Sequence, residues 1–311
     1  GEIWFNSTSG TLKVSPILPG TWASGGTVPQ IVRGGGCGGT QTAAWYAGGL
    51  QYPGDTKNKT WEYDGSTWTE VNTIPSNFFN GGSTGPLTAG LLAGTAAGYG
   101  TNTQVFEYDG TNWAAGGSLS PIGPAYSGGT CLGLQTAAIL IGGDGDPPTG
   151  VTTAVDYDGS SWTSGVAAPA TVYGAAGDGP NTAGWMAGGS GPGMPTTATK
   201  EFDGSSWTDS GVMGTARASG QNAGYGPTNA AVYAGAGIWP AVITTAEVYN
   251  GTSWSATGSL SVARSYGQSS SQSAGSQTGF VVGGATAPAA NTDATEEFTA
   301  AAVGTATITT S

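Results

Sequence analysis

Histidine is absent from the 311 residues. That removes the commonest general base and the commonest transition-metal ligand. The remaining chemistry rests on carboxylates, a few bases and aromatic rings. Glu62, Glu107, Asp156, Glu201 and Glu297 each stand directly before a tyrosine or phenylalanine. Paired acids at one place could do general acid–base work. Five equal copies do not fit that, because an active site needs one or two special positions. Carboxylates that bond backbone N–H groups or a neighbouring repeat fit better. Asp144-Gly145-Asp146 offers oxygen ligands to calcium, but two acids are too few for a site. No metal and no other cofactor is expected. Cys37 and Cys131 each lie four residues before Gln-Thr-Ala-Ala. They occupy equivalent positions in two repeats and read as small core residues rather than a disulfide.

The formal net charge is −12, from 19 acids against 7 bases. Nucleic-acid binding needs basic patches that displace counterions, so no nucleic-acid partner is expected. No stretch approaches the roughly 18 apolar residues of a spanning helix, so no membrane insertion is expected. Glycine is abundant at 58 residues, but aromatics reach 10%. A disordered glycine-rich linker would carry few of them. Glycine turns with regularly placed aromatics fit an all-β repeat protein.

The elements that would position any site come from one repeated phrase. Its copies are Glu62-Tyr63-Asp64-Gly65-Ser66-Thr67-Trp68, Glu107 to Trp113, Asp156 to Trp162, Glu201 to Trp207 and Val248 to Trp254. Asp-Gly or Asn-Gly between β-prone residues predicts a tight hairpin. Trp22 carries a bare copy, so the structural tryptophans are Trp22, Trp68, Trp113, Trp162, Trp207 and Trp254, at spacings of 46, 45, 49, 45 and 47. Six apolar runs ending in glycine keep the same period, as in Trp45 to Gly49 and Phe280 to Gly284. A period near 46 with about four short strands per unit predicts a β-propeller. The last unit lacks a tryptophan strand and Trp22 is an orphan. Together they predict a six-bladed ring closed by an N-terminal strand that completes the last blade. The expected organisation is an N-terminal hairpin or attachment segment over 1–19, the propeller over 20–299 and a β-prone tail over 300–311. The tail is expected to pair with residues 1–14 or to reach a partner.

The double glycine, an aromatic about 14 residues on and a tryptophan five further resemble the kelch repeat over residues 20–299. Arg33, Arg217 and Arg264 fall 11, 10 and 10 residues after Trp22, Trp207 and Trp254. The resemblance implies that they stand near the mouth of the central channel. Three guanidiniums at one rim would hold carboxylates or acidic sugars. The competing expectation is blade-to-blade hydrogen bonding. Tyr52 and Trp239, in variable segments between the glycine runs and the Tyr-Asp strands, join them as ligand-binding candidates. Kelch-type copper oxidases use histidine, so that activity is not expected.

The wording of the repeats and the opening Gly-Glu-Ile-Trp-Phe-Asn-Ser-Thr-Ser-Gly-Thr-Leu-Lys-Val resemble kelch-like virion proteins of marine tailed phages. That resemblance implies a non-enzymatic tail or capsid surface protein. It would bind host glycan or virion proteins through its loops, and associate with itself and virion proteins through 1–19 and 300–311. The alternatives are a secreted or cell-surface bacterial adhesion or matrix propeller, and a polysaccharide hydrolase or lyase.

Overall fold

Each Tyr-Asp-Gly phrase closes its hairpin by local forces. Asp64 Oδ1 accepts the N–H groups of Ser66 and Thr67 at 2.8 Å each. Asp109, Asp158, Asp203 and Asn250 do the same in their copies. The glycine that follows is left-handed, with φ between 88° and 93° in all five, a conformation costly to residues with a Cβ. The turn sets the register Tyr63↔Trp68, so the two rings stack at 4.7 Å. Such pairs add about 0.5–1.5 kcal/mol beyond area burial.

The computed structural model describes residues 3–6, 11–14, 20–52, 57–96, 103–119, 127–143, 150–191, 194–218, 224–238, 241–271, 278–286, 290–300 and 306–308. All regular structure among them is β. Six four-stranded antiparallel sheets follow one another around a ring as a six-bladed β-propeller. From inner to outer strand, blade one is Gly36–Thr40, Ala43–Ala47, Thr60–Tyr63 and Trp68–Val71. Blades two, three, four and five start at Gly82–Thr84, Thr130–Leu134, Ala175–Asp178 and Gly224–Tyr225. Blade six is Gln268–Ser269, Thr278–Val282 and Thr295–Thr299, completed by Thr21–Ser24 from the other end of the chain. Trp22 sits opposite Phe298 in that last ladder. The ring therefore closes as the orphan tryptophan predicts. Ile3–Asn6, Thr11–Val14 and Ala306–Ile308 form a separate three-stranded sheet, so the tail pairs with the opening hairpin. Cys37 and Cys131 are free and buried, in blades one and three.

The recurring acids bridge blades. Tyr63 donates its hydroxyl hydrogen to Glu297 at 2.5 Å, Tyr108 to Glu62 at 2.6 Å, Tyr157 to Glu107 at 2.5 Å and Tyr249 to Glu201 at 2.6 Å. In each case the acid lies one blade before its tyrosine. Burial and then the carboxylate push the Tyr63 and Tyr157 phenols up to about 12. The tryptophans add a second tie: the indole N–H groups of Trp68, Trp113 and Trp254 donate to Thr295, Thr60 and Thr199 of the preceding blade.

Two seams lack the carboxylate–tyrosine bridge. Between blades five and six Val248 replaces the acid and Phe298 the tyrosine. Between blades three and four the acid remains as Asp156, but Phe202 offers no hydroxyl. Asp156 Oδ1 is buried without a hydrogen-bond partner, and burial raises its carboxyl above the usual range. A folded-state pKa above the unfolded value removes stability as pH rises through that interval. Asp156→Asn is therefore expected to melt with the parent near pH 3 and above it at pH 7, in paired thermal scans. Joining Asp156→Glu to Phe202→Tyr rebuilds the bridge found at four other seams, with an expected gain of about 1–3 kcal/mol in urea unfolding at neutral pH.

Candidate functional site at the channel mouth

Antiparallel order within each blade sends two sets of links to one face. These join the second to the third strand, and the outer strand to the next blade. The Asp-Gly hairpins leave from the opposite face. The chain enters five of the blades through the same short pattern of hydrogen bonds. Gly284, Gly49, Gly143, Gly189 and Ala236 donate their N–H groups to the carbonyls of Val32, Phe78, Val172, Arg217 and Arg264. These five acceptors are thus equivalent positions. Two residues on, Gly34, Asn80, Gly174 and Tyr266 are all left-handed, with φ of 64°, 60°, 65° and 54°, and Gly128 joins them at 76°. Their backbones form a collar around the axis. Gly34 N–H donates to Tyr266 O, Asn80 to Gly34, Gly128 to Asn80 and Gly174 to Gly128, at 2.6–3.1 Å.

This register separates the three arginines. Arg217 and Arg264 occupy the first position of the turn, whereas Arg33 occupies the second, after Val32. A shift of one residue in extended chain turns a side chain to the other face. Arg217 and Arg264 point into the protein and are fully buried. Arg264 donates to Gly283 O, Ala294 O and Glu296 at 3.0, 2.9 and 2.6 Å. Arg217 donates likewise to Gly235 O, Thr245 O and Glu247. Glu247 and Glu296 also accept backbone N–H groups of Gly214, Thr215, Ser261 and Val262. Burial lowers the Arg264 pKa, and the Glu296 carboxylate opposes the shift. The expectation that all three arginines share a ligand-binding rim is therefore corrected. Two of them hold their own blade together, and the bonds run within a blade rather than between blades. Where the first position is Val32 or Phe78, the place of the glutamate is taken by Trp61 or Phe106, and each apolar pair shares a core cluster.

Arg33 stays at the mouth. It lines a cavity of about 330 Å³ with Phe79, Asn80, Tyr173 and Tyr266. These residues enter blades one, two, four and six, so the cavity lies on the ring axis. Arg33 Nε is buried without a hydrogen-bond partner, and so is Asn80 Oδ1. Asn80 Nδ2 donates to Ser127 Oγ at 3.1 Å. The Phe79 ring lies over Gly34, where a Cβ would come within 2.6 Å of it. Among the described residues that line the cavity there is no carboxylate. A second recess of similar size lies at the seam of blades one and two, but its Glu62 and Tyr108 already bond to each other.

Tyr52 ends the strand Leu50–Tyr52, which pairs with Ile31–Arg33. Its side chain, Trp239 and Asp144-Gly145-Asp146 lie outside the described residues. Among the described residues no cluster of three or more metal-ligating side chains occurs. Sequence reasoning missed Phe79, Asn80, Tyr173 and Tyr266 at the mouth, and Glu247 and Glu296 as arginine partners. A signal for the first group was present in the offset of Arg33, 11 residues from its tryptophan rather than 10.

No family model and no curated protein matches the sequence. Among solved structures, the chain is similar to the structure of YjhT, with a TM-score of 0.67 and 16% identity over 90% of this chain and 96% of that one. At that identity the likeness supports the propeller fold and leaves function to the site.

Proposed function

We propose that this chain is a kelch-like, non-enzymatic surface protein of a phage particle, in the tail or on the capsid, that binds through the mouth of its propeller. Attachment to a host glycan or to a second virion protein would come from several copies, each of modest affinity, acting together. The observation that carries the reading is the cavity on the axis, with its unpaired Arg33 among aromatic rings. It has the concave, mostly apolar form with a few polar groups that small-ligand sites take. Glycoside hydrolysis by paired carboxylates needs both in reach of the substrate, and none of the described lining residues is a carboxylate. The terminal three-stranded sheet supports the assembly role. Its outer strands Ile3–Asn6 and Ala306–Ile308 each pair on one side only among the described residues. Such edges accept a further strand from a partner or a second copy.

Cryo-electron microscopy of the native assembly tests the reading. Several propellers are expected on the outside of one particle, with their channel mouths outward and the terminal sheet toward the particle. A free monomer with no particle around it overturns the proposal.

A further inference from the structure

Tyr266 carries a cost that its repeat position does not require. Its φ is 54°, where blades one, three and four place Gly34, Gly128 and Gly174, and blade two places Asn80. A bulky aromatic residue is a true outlier in this region. Such strain persists where the surrounding structure holds it, and it gathers at binding and active sites. Tyr266 lines the same cavity as Arg33 and Asn80, the residues that carry two orphaned polar atoms. One of these, Arg33 Nε–H, is a donor on a cation. The other, Asn80 Oδ1, is an acceptor on a side chain that bonds Ser127 and is more than nine-tenths buried.

We propose that the channel mouth binds one pyranose ring bearing one carboxylate, a hexuronic acid unit. The carboxylate meets Arg33, a ring hydroxyl donates to Asn80 Oδ1, and the C–H faces of the sugar lie on Phe79, Tyr173 and Tyr266. Charge-assisted bonds from guanidinium to carboxylate are the strong ones, and aromatic rings supply flat apolar area with little entropy to lose. The cavity, about 330 Å³, is at the small end for ligand sites, which suits one sugar unit. With one unpaired arginine at the mouth and a net charge of −12, a densely charged polyanion is repelled. The ligand is therefore a single acidic unit at a chain end or between neutral sugars.

The inference rests on the binding reading above and deepens it. Its test uses the full chain and three probes by titration calorimetry: D-glucuronate, D-glucose and acetate. Glucuronate is expected to bind at least about tenfold more tightly than either of the others, since it alone offers both ring and carboxylate. Arg33→Met should bring glucuronate down to the level of glucose. Tyr266→Gly should weaken glucuronate and glucose alike while leaving the melting temperature unchanged or higher, because the glycine relieves the strained φ. Equal binding of glucose and glucuronate, or acetate competing as well as glucuronate, overturns the proposal. So does a Tyr266→Gly protein that melts lower and binds as before, since the ring would then serve packing alone. If glucuronate fails to bind while imaging shows propellers on a particle, the sugar-acid inference falls and the surface role stands. If glucuronate binds a chain that belongs to no particle, the surface role falls and the ligand stands.

Discussion

Arg264→Met is expected to destabilise the propeller by about 3–5 kcal/mol, because it leaves the Glu296 carboxylate charged, buried and without its partner. The guanidinium also ties Gly283 O and Ala294 O, so the loss spreads across two strands of blade six and the turn that enters it. Glu296→Gln keeps the shape and part of the hydrogen bonding, and should cost less. Arg264→Met combined with Glu296→Leu should cost less than the two single truncations added together, with a coupling of about 1–3 kcal/mol. It will not return to parent stability, because Ser261 and Val262 lose the carboxylate that accepts their N–H groups. Urea unfolding of the four proteins in the cycle measures this. Additive single and double effects would show that the pair is not a unit. The fold already contains the apolar solution in blade one, where Val32 and Trp61 occupy the matching places. That supports reading the ion pair as one of two interchangeable ways to fill the position.

Removal of residues 1–24 is expected to be the most damaging change of all. It deletes Thr21–Ser24 and strips the ladder from Thr295–Thr299. Trp22 leaves the Phe298 ring, against which it packs at 5.1 Å. The bond from Gly20 N–H to Thr257 Oγ1 disappears with it. The exposed edge would carry unpaired N–H and C=O groups beside an uncovered phenylalanine, a template for association with other chains. Most of the ~5–15 kcal/mol that holds a domain is at stake, since every blade of a ring leans on two neighbours. The truncated chain should elute as aggregates in size-exclusion chromatography, or unfold without a cooperative transition. Removal of residues 1–19 alone is the control. It spares the closing strand and should leave a monomeric propeller with sharp unfolding. A truncation at 24 that remains monomeric and unfolds as sharply as the parent would sink the closure argument.

The first result concerns one of three residues that look alike in the sequence. Arg33, Arg217 and Arg264 stand at nearly the same offset from a repeat tryptophan. One extra residue before Arg33 places Val32 in the buried slot and turns the guanidinium to the axis. The mouth follows from the same difference. Phe79 and Tyr173 share the register of Arg33, and Asn80 and Tyr266 follow one residue later. None of these four belongs to a repeated phrase, so none stands out when copies are aligned by their tryptophans.

The ring, its six-fold count and its closing strand were legible without coordinates, because they depend on local patterns that repeat. Asp-Gly sets a hairpin through its own φ and its own side-chain bonds, whatever surrounds it. A period near 46 and one orphan Trp22 then leave a single way to complete the last blade. The structural character of the repeated acids was legible for the same reason, as recurrence argues against a special site. Their partners were not: that Glu62 meets Tyr108 of the next blade, while Asp156 meets no hydroxyl, depends on how adjacent blades are set against each other. The candidate site is further still from sequence. Its residues come from blades one, two, four and six, and only closure of the ring brings Arg33, Asn80 and Tyr266 to one axis. Local chemistry determines the blade. The long-range geometry of the ring decides which arginine faces the core and which faces the axis.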